Sequence, residues 1–268
     1  MQPMINIALR AVRSNLEHLL SILEREKLSL TDPDNVKRML SRVESSFYET
    51  LARGLERAYP KHHIAKRGDL SGPAKGFSWH VMPLHNRLNL IKGLPDWGFS
   101  VVCKKDGQTE HALILMPALG LEYTASRGHG AELNGRRIRV ANLADESLAV
   151  GSSNLISGLG KADDETPVQE ILDLHLQLEK RVFALNQHRS LAIALAHLAA
   201  GKTDVVISKQ PDPQELAAGL LIAKEAGALS SDFNGGPVTE RSPAIMVASA
   251  KLTKRLLPVF KGKQSLFG

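Results

Sequence analysis

Phe99-Ser100-Val101-Val102-Cys103-Lys104, the four residues Lys105-Asp106-Gly107-Gln108, and the run His111 to Met116 are the stretch on which the fold class turns. Two largely apolar runs flank an Asp-Gly step. Asp-Gly suits a tight hairpin turn, because glycine adopts positive φ without strain and aspartate tolerates it. The spacing therefore predicts a β-hairpin. Leu121 to Ser126 reads as a further strand, and the strand-like period holds over residues 77–140.

Outward from the hairpin the period changes. Before it, Ile7, Val12, Leu16, Leu19, Leu20 and Leu23 recur at helical spacing behind Pro3. Val36, Met39, Leu40, Val43, Phe47, Leu51 and Leu55 predict a second helix, ended by Tyr59-Pro60. After it, short strands at 147–152 and 181–185 enclose a helix at 165–180. A helix at 189–200 follows, then the strand Asp204 to Ser208. Asp212-Pro213 opens a helix with Asp212 as N-cap, and Gly227 closes it. A strand at 244–249 and a helix at 250–260 complete the order. This layered mixture is an α+β pattern.

Of the 268 residues, 43% are hydrophobic, enough for a sizeable core in one domain or two closely packed ones. Aromatics at 4% argue against a stacking surface for single-stranded nucleic acid. The single cysteine, Cys103, excludes an internal disulfide and a cysteine zinc site, and its apolar setting reads as a buried structural thiol. Charges interrupt every apolar run, so neither a signal peptide nor a membrane span is expected, and a reducing cytoplasm fits. The net charge of +6 would attract an acidic partner, RNA included, although the basic residues are scattered among acidic ones.

Three stretches carry a resemblance. The start, Met1-Gln2-Pro3-Met4-Ile5-Asn6-Ile7-Ala8-Leu9-Arg10-Ala11, is one. Tyr123-Thr124-Ala125-Ser126-Arg127-Gly128-His129-Gly130-Ala131-Glu132-Leu133-Asn134-Gly135-Arg136-Arg137 is the second. The third runs from Ala217 to Gly227 and continues through Ser231-Asp232-Phe233-Asn234-Gly235-Gly236. Together they resemble the inositol monophosphatase family, and within it the branch of bacterial SuhB proteins. The resemblance implies a layered αβαβα fold over residues 1–268 as a single domain, with an α+β part at 1–140 and an α/β part at 141–268. It also implies a homodimer and magnesium-dependent hydrolysis of phosphate monoesters, in which metal neutralises phosphate and activates water. SuhB-type proteins further imply contact with NusA, or RNA polymerase, in transcription antitermination.

Carried over residue by residue, the family's metal site is depleted. Its Glu-Glu pair falls on Arg67 and Gly68, with Asp69 two residues on and read as a loop residue. Its Asp-Pro-Leu-Asp-Gly-Thr motif reads Met82-Pro83-Leu84-His85-Asn86-Arg87 here, behind the strand Trp79-His80-Val81. Both aspartates are replaced, and Arg87 stands where a threonine would orient water. A guanidinium cannot ligate metal, and magnesium does not favour a thioether. The last carboxylate falls on Glu215 and a peripheral one on Glu44. The substrate-side turn reads Ser153-Asn154, and the Gly-Ser pair becomes Arg189-Ser190.

Several expectations follow. The leading one is a pseudoenzyme that acts as a regulatory binding protein, with no metal cofactor. A second is an active phosphatase with an altered metal site, using magnesium, or zinc or manganese through His85 and Glu215. Against that, His62, His63, His80 and His85 also read as structural or surface histidines. A third is a binder of RNA or an anionic metabolite, with Arg67, Arg87, Arg189 and Ser190 as the anion-binding set.

Overall fold

The computed structural model describes residues 3–26, 32–66, 69, 71–73, 75–161 and 166–268. The chain divides into two compact units, Met1–Arg136 and Arg137–Gly268.

Unit one opens with helices α1 (Pro3–Glu26) and α2 (Pro33–Ala58). Asp32 caps α2, its side chain accepting from the Asp34 amide at 3.0 Å, with Pro33 at the first helical position. Ile5, Leu9 and Val12 of α1 meet Met39, Val43, Phe47, Leu51 and Leu55 of α2 in one buried core. The side chains of Leu19, Leu20 and Leu23 lie outside the described residues.

The first sheet is made of β1 (His63–Ile64), β2 (Phe77–His85), β3 (Gly98–Lys105), β4 (Gln108–Met116), β5 (Leu121–Ser126), β6 (Gly130–Leu133) and β7 (Arg136–Ile138), paired in that order. The hairpin turns at Asp106 and Gly107, whose φ values of 49° and 79° are those of a type I′ turn. Trp79 and Val81 of β2, Phe99, Val101 and Cys103 of β3, and Leu113 and Leu115 of β4 face the two helices. Phe47 stacks on Phe99 with centroids 3.9 Å apart. The strand-like stretch is broken by a short helix α3 (Arg87–Ile91) and by a 3₁₀ turn at Pro117–Leu119. Asn86 precedes α3 in the left-handed conformation, φ 53°, which ends the strand.

Unit two holds β8 (Val150–Ser153), α4 (Val168–Glu179), β9 (Ala184–Gln187), α5 (Leu191–Ala199), β10 (Val205–Lys209), α6 (Pro213–Glu225), β11 (Leu229–Asp232), β12 (Ala244–Ala248) and α7 (Ala250–Phe260). The sheet order is β11-β12-β10-β8-β9, with β8 parallel to both β9 and β10. β8 starts at Val150 because residues 146–148 form a 3₁₀ turn capped by Asp145. β9 starts at Ala184 because Val182 still donates to the Leu178 carbonyl at the end of α4. Both faces of this sheet are covered. Val205 and Ile207 of β10 join a core with Leu174 of α4 and Leu256 of α7. Val206, one residue round, joins Leu195 of α5 and Leu216 of α6. Among the described residues no helix is long and apolar enough to cross a membrane.

Close packing of α5 on α6 depends on Gly219. A Cβ there would lie 2.8 Å from Leu195 Cβ and 3.1 Å from Ala192 Cα. Gly219→Ala gains up to about 1 kcal/mol of helix propensity, whereas overpacking of a filled core costs about 1–3 kcal/mol. With an immovable Cβ in the way, a net loss of about 1 kcal/mol is expected. It would register as a lower urea midpoint at unchanged slope; a midpoint at or above wild type would show that α5 and α6 separate freely.

Candidate functional site

The residues singled out by the motif lie partly in each unit. In unit one the motif strand carries Pro83 inside a sheet, where proline cannot donate a ladder hydrogen bond. The pairing of β2 with β3 shifts register between Met82 and His85 to accommodate it. The shift sends Leu84 into the helix-facing core with Trp79 and Val81. His85 is buried and shares a hydrogen bond of 2.9 Å between its Nε2 and Ser100 Oγ. Met82, opposite Ser100, is half-buried.

Asn86 donates through Nδ2 to the Asp96 carbonyl at 2.8 Å and to Asp96 Oδ2 at 3.1 Å. Asn89 donates to the same carbonyl at 2.8 Å, so the loop before β3 is tied to the start of α3. This places Arg87 beside α2, where its Nε donates to Glu44 Oε1 at 2.6 Å. Glu44 is nearly buried and Arg87 about half exposed, so the pair is partly screened by water. Asp69 closes its own turn, accepting from the Ser71 amide and hydroxyl at 2.7 Å each. Those hydrogen bonds hold its carboxyl below the usual range. Arg67 and Gly68 lie outside the described residues.

The other histidines serve the scaffold. His62 accepts from Trp79 Nε1 at 3.1 Å and stacks on Tyr59 and Phe77, each 4.7 Å away. His80 is buried between Ser78 Oγ at 2.9 Å and the Asp69 carbonyl at 3.1 Å. Burial lowers the pKa of both imidazoles. His63 is exposed on β1. Cys103 is fully buried, which pushes its thiol up to about 12 and leaves it unreactive.

In unit two, Asp212 caps α6 as its position suggests, accepting from Gln214 N at 2.8 Å and Glu215 N at 3.3 Å. Glu215 sits in the first turn of α6 and its carboxylate reaches the N-terminus of α5. Its Oε2 accepts from Ser190 Oγ at 3.0 Å, Leu191 N at 2.5 Å and Ala192 N at 3.2 Å. The free amides of a helix start form an anion site, and here that site holds the chain's own carboxylate. Ser190, expected to help bind an external anion, donates to this internal one. Arg189 is exposed beside it.

One residue of this neighbourhood escaped sequence reasoning. His188 is 8% exposed, shares a hydrogen bond of 3.1 Å with Ser152 Oγ, and has Nε2 buried without a partner. Burial lowers its pKa to about 4, against smaller opposing effects of Glu215 and Ser152. No alternation signals it, since Asn186 and Gln187 at the end of β9 are both exposed before the inward His188. Among the described residues, no three His, Cys, Asp or Glu side chains are grouped as they would be to hold a metal ion.

The inositol monophosphatase family profile matches residues 1–265. The chain is 33% identical over 262 residues to the Nus factor SuhB of Pseudomonas aeruginosa, covering 96% of this chain and 95% of that one. The Nus factor SuhB of Vibrio cholerae is 31% identical over 259 residues, with the same coverage. The crystal structure of SuhB from Bartonella henselae matches with a TM-score of 0.78 at 21% identity, covering 97% of this chain and 99% of that one. That likeness establishes the layered α+β fold.

The buried His188 makes stability depend on pH in a defined window. Above pH about 6.5 both folded and unfolded chains hold it neutral, so it adds no slope. As pH falls from about 6.5 toward about 4, the unfolded chain binds a proton that the folded chain refuses. Stability should fall with pH there, by up to about 3 kcal/mol. Urea titrations across this window, with His188→Gln as reference, test it; equal slopes in both proteins would remove His188 as the cause.

Proposed function

The chain belongs to the inositol monophosphatase family, and from that premise we propose that it is a SuhB-type member that has left phosphate-ester hydrolysis and acts by binding the transcription machinery. The observation that carries the first part is where its remaining carboxylates are committed. Glu215 is held by Ser190 and two amides of α5, and Glu44 by Arg87. Magnesium requires several oxygen ligands in near-octahedral array. To bind here it would have to draw Glu215 off a helix N-terminus or displace a guanidinium from Glu44. It would also have to accept Met82 and His85, the latter already bonded to Ser100. These residues do not fit magnesium. Without metal to neutralise phosphate and lower the pKa of water, hydrolysis loses its main driving interactions.

The second part rests on likeness. The relatives in Pseudomonas aeruginosa and Vibrio cholerae are named Nus factors, and the match spans nearly the whole of each. Carried to this chain, that means a contact with NusA, or with RNA polymerase, in antitermination. A cytoplasmic homodimer belongs to the same reading. An enzyme with an altered metal site is the competing one.

Release of inorganic phosphate from inositol 1-phosphate, with magnesium, manganese or zinc, should stay at the level of a no-protein blank. Turnover that disappears in Glu215→Ala would establish the competing enzyme. Separately, the purified protein should co-elute with purified NusA or with core RNA polymerase on size exclusion. Independent elution from both, at micromolar concentrations of each, would refute the transcription contact.

A further inference from the structure

At one end of unit two, two turns and a helix start come together. The 3₁₀ turn at residues 146–148 is tied to the turn between α4 and β9 by an ion pair, Arg181 Nη1 to Glu146 Oε1 at 3.0 Å. The Phe183 amide donates to the Ala149 carbonyl at 2.8 Å. α7 packs on the same 3₁₀ turn. The Asp145 carboxyl, held low mainly by Ser147, also feels Arg255 of α7. β8 and β9 run from here toward Ser153 and Gln187, so Ser190 and Glu215 lie at the opposite end of this sheet.

Two large apolar side chains stand in solvent at this end. Phe183 is 74% exposed and Leu148 60%, the highest values for large hydrophobics among the described residues. Their neighbours Val182 and Ala149 pack into the core of the unit, which turns Phe183 and Leu148 outward. The backbone around Phe183 is fixed. Val182 donates to the Leu178 carbonyl at 3.2 Å, and Ala184 donates to the Ala149 carbonyl at 3.4 Å. An aromatic side chain on so fixed a backbone loses little entropy on binding.

The charges beside them are mixed in sign and mostly positive. Lys180, Arg181, Lys251, Lys254 and Arg255 stand against Asp145, Glu146 and Glu179. With Arg181 and Glu146 paired, four cations remain against two acids. Lys202 and Asp204, before and at the start of β10, add one charge of each sign. Asp163, Asp164 and Glu165 lie outside the described residues; the chain resumes at Thr166, before the start of α4, which is about 17 Å along the helix from Glu179.

We propose that this end of unit two is a protein-docking surface for a partner that presents an apolar pocket with a mainly acidic rim, Phe183 being the anchor. A projecting aromatic at the centre of a polar, charged rim is the make-up of a protein interface. An anionic bilayer would meet Asp145, Glu146 and Glu179 among the cations and be repelled by them. A nucleic-acid backbone offers phosphates to the cations but nothing to Phe183 or Leu148. The inference rests on the reading of the chain as a binding protein for the transcription machinery, and adds the surface and the partner's chemistry.

The test measures affinity and association rate of the full chain on immobilised NusA and on immobilised core RNA polymerase. Phe183→Ser should weaken binding by about tenfold or more. Lys251→Glu combined with Arg255→Glu should slow association and flatten its dependence on salt. Leu119→Ser, the same kind of change at an exposed leucine of unit one, should leave affinity unchanged. Thermal unfolding of each variant checks that the fold is kept. A folded Phe183→Ser that binds as the wild type does overturns the surface and leaves the transcription reading standing. A wild type that binds neither protein overturns both. Self-association, or binding to phosphatidylglycerol vesicles, that Phe183→Ser abolishes while protein binding is unchanged gives the surface to a second copy or to a bilayer, and overturns the proposal equally.

Discussion

Pro83 sits inside β2, which pairs with β1 only at Ser78 and Trp79 but runs antiparallel to β3 from Phe77 to His85. A residue without an N–H cannot continue such a ladder, so the register must slip where it occurs. The slip is confined to Met82–His85, and its consequences run in two directions. Toward the helices, it lets Leu84 fill the same core as Trp79 and Val81 despite the change of parity. Toward the motif, it turns His85 onto Ser100, forces Asn86 into the left-handed region and starts α3 at Arg87. The same short segment therefore closes the core of unit one and places Met82, His85, Asn86 and Arg87.

Charge balance is the second constraint. A carboxylate taken partly out of water needs positive partners, and a metal is one way to provide them. This chain provides them from within. Arg87 at a motif position neutralises Glu44, and the amides of a helix start, helped by Ser190, neutralise Glu215. The extra methylene of glutamate relative to aspartate gives Glu215 the reach to turn back on α5. Both carboxylates thus find their positive partners within the fold.

Much of the fold was legible in the chain. The Asp-Gly turn, the helical spacing of α1 and α2, the Asp212 cap and Gly227, with its φ of 96°, are local signals that need only neighbours in sequence. What was illegible is instructive. α3 was hidden because five residues carry too little period to read. β1 and β11 were hidden because strands of two and four residues are defined by their partners and not by pattern. His188 was hidden because its burial follows from the packing around β8 and β9.

The sequence alone determined which side chains the candidate motif offers, since identity at a position is a property of the chain: Met82, His85, Arg87, Glu44 and Glu215 could be read directly. It also determined that three of these offer magnesium little. Only the tertiary structure decided what the surviving carboxylates do. Glu44 meets Arg87 across 43 residues, and Glu215 meets Ser190 across 25. Such pairings depend on where helices end in space, and on the distances and burial that folding imposes, which no spacing along the chain encodes.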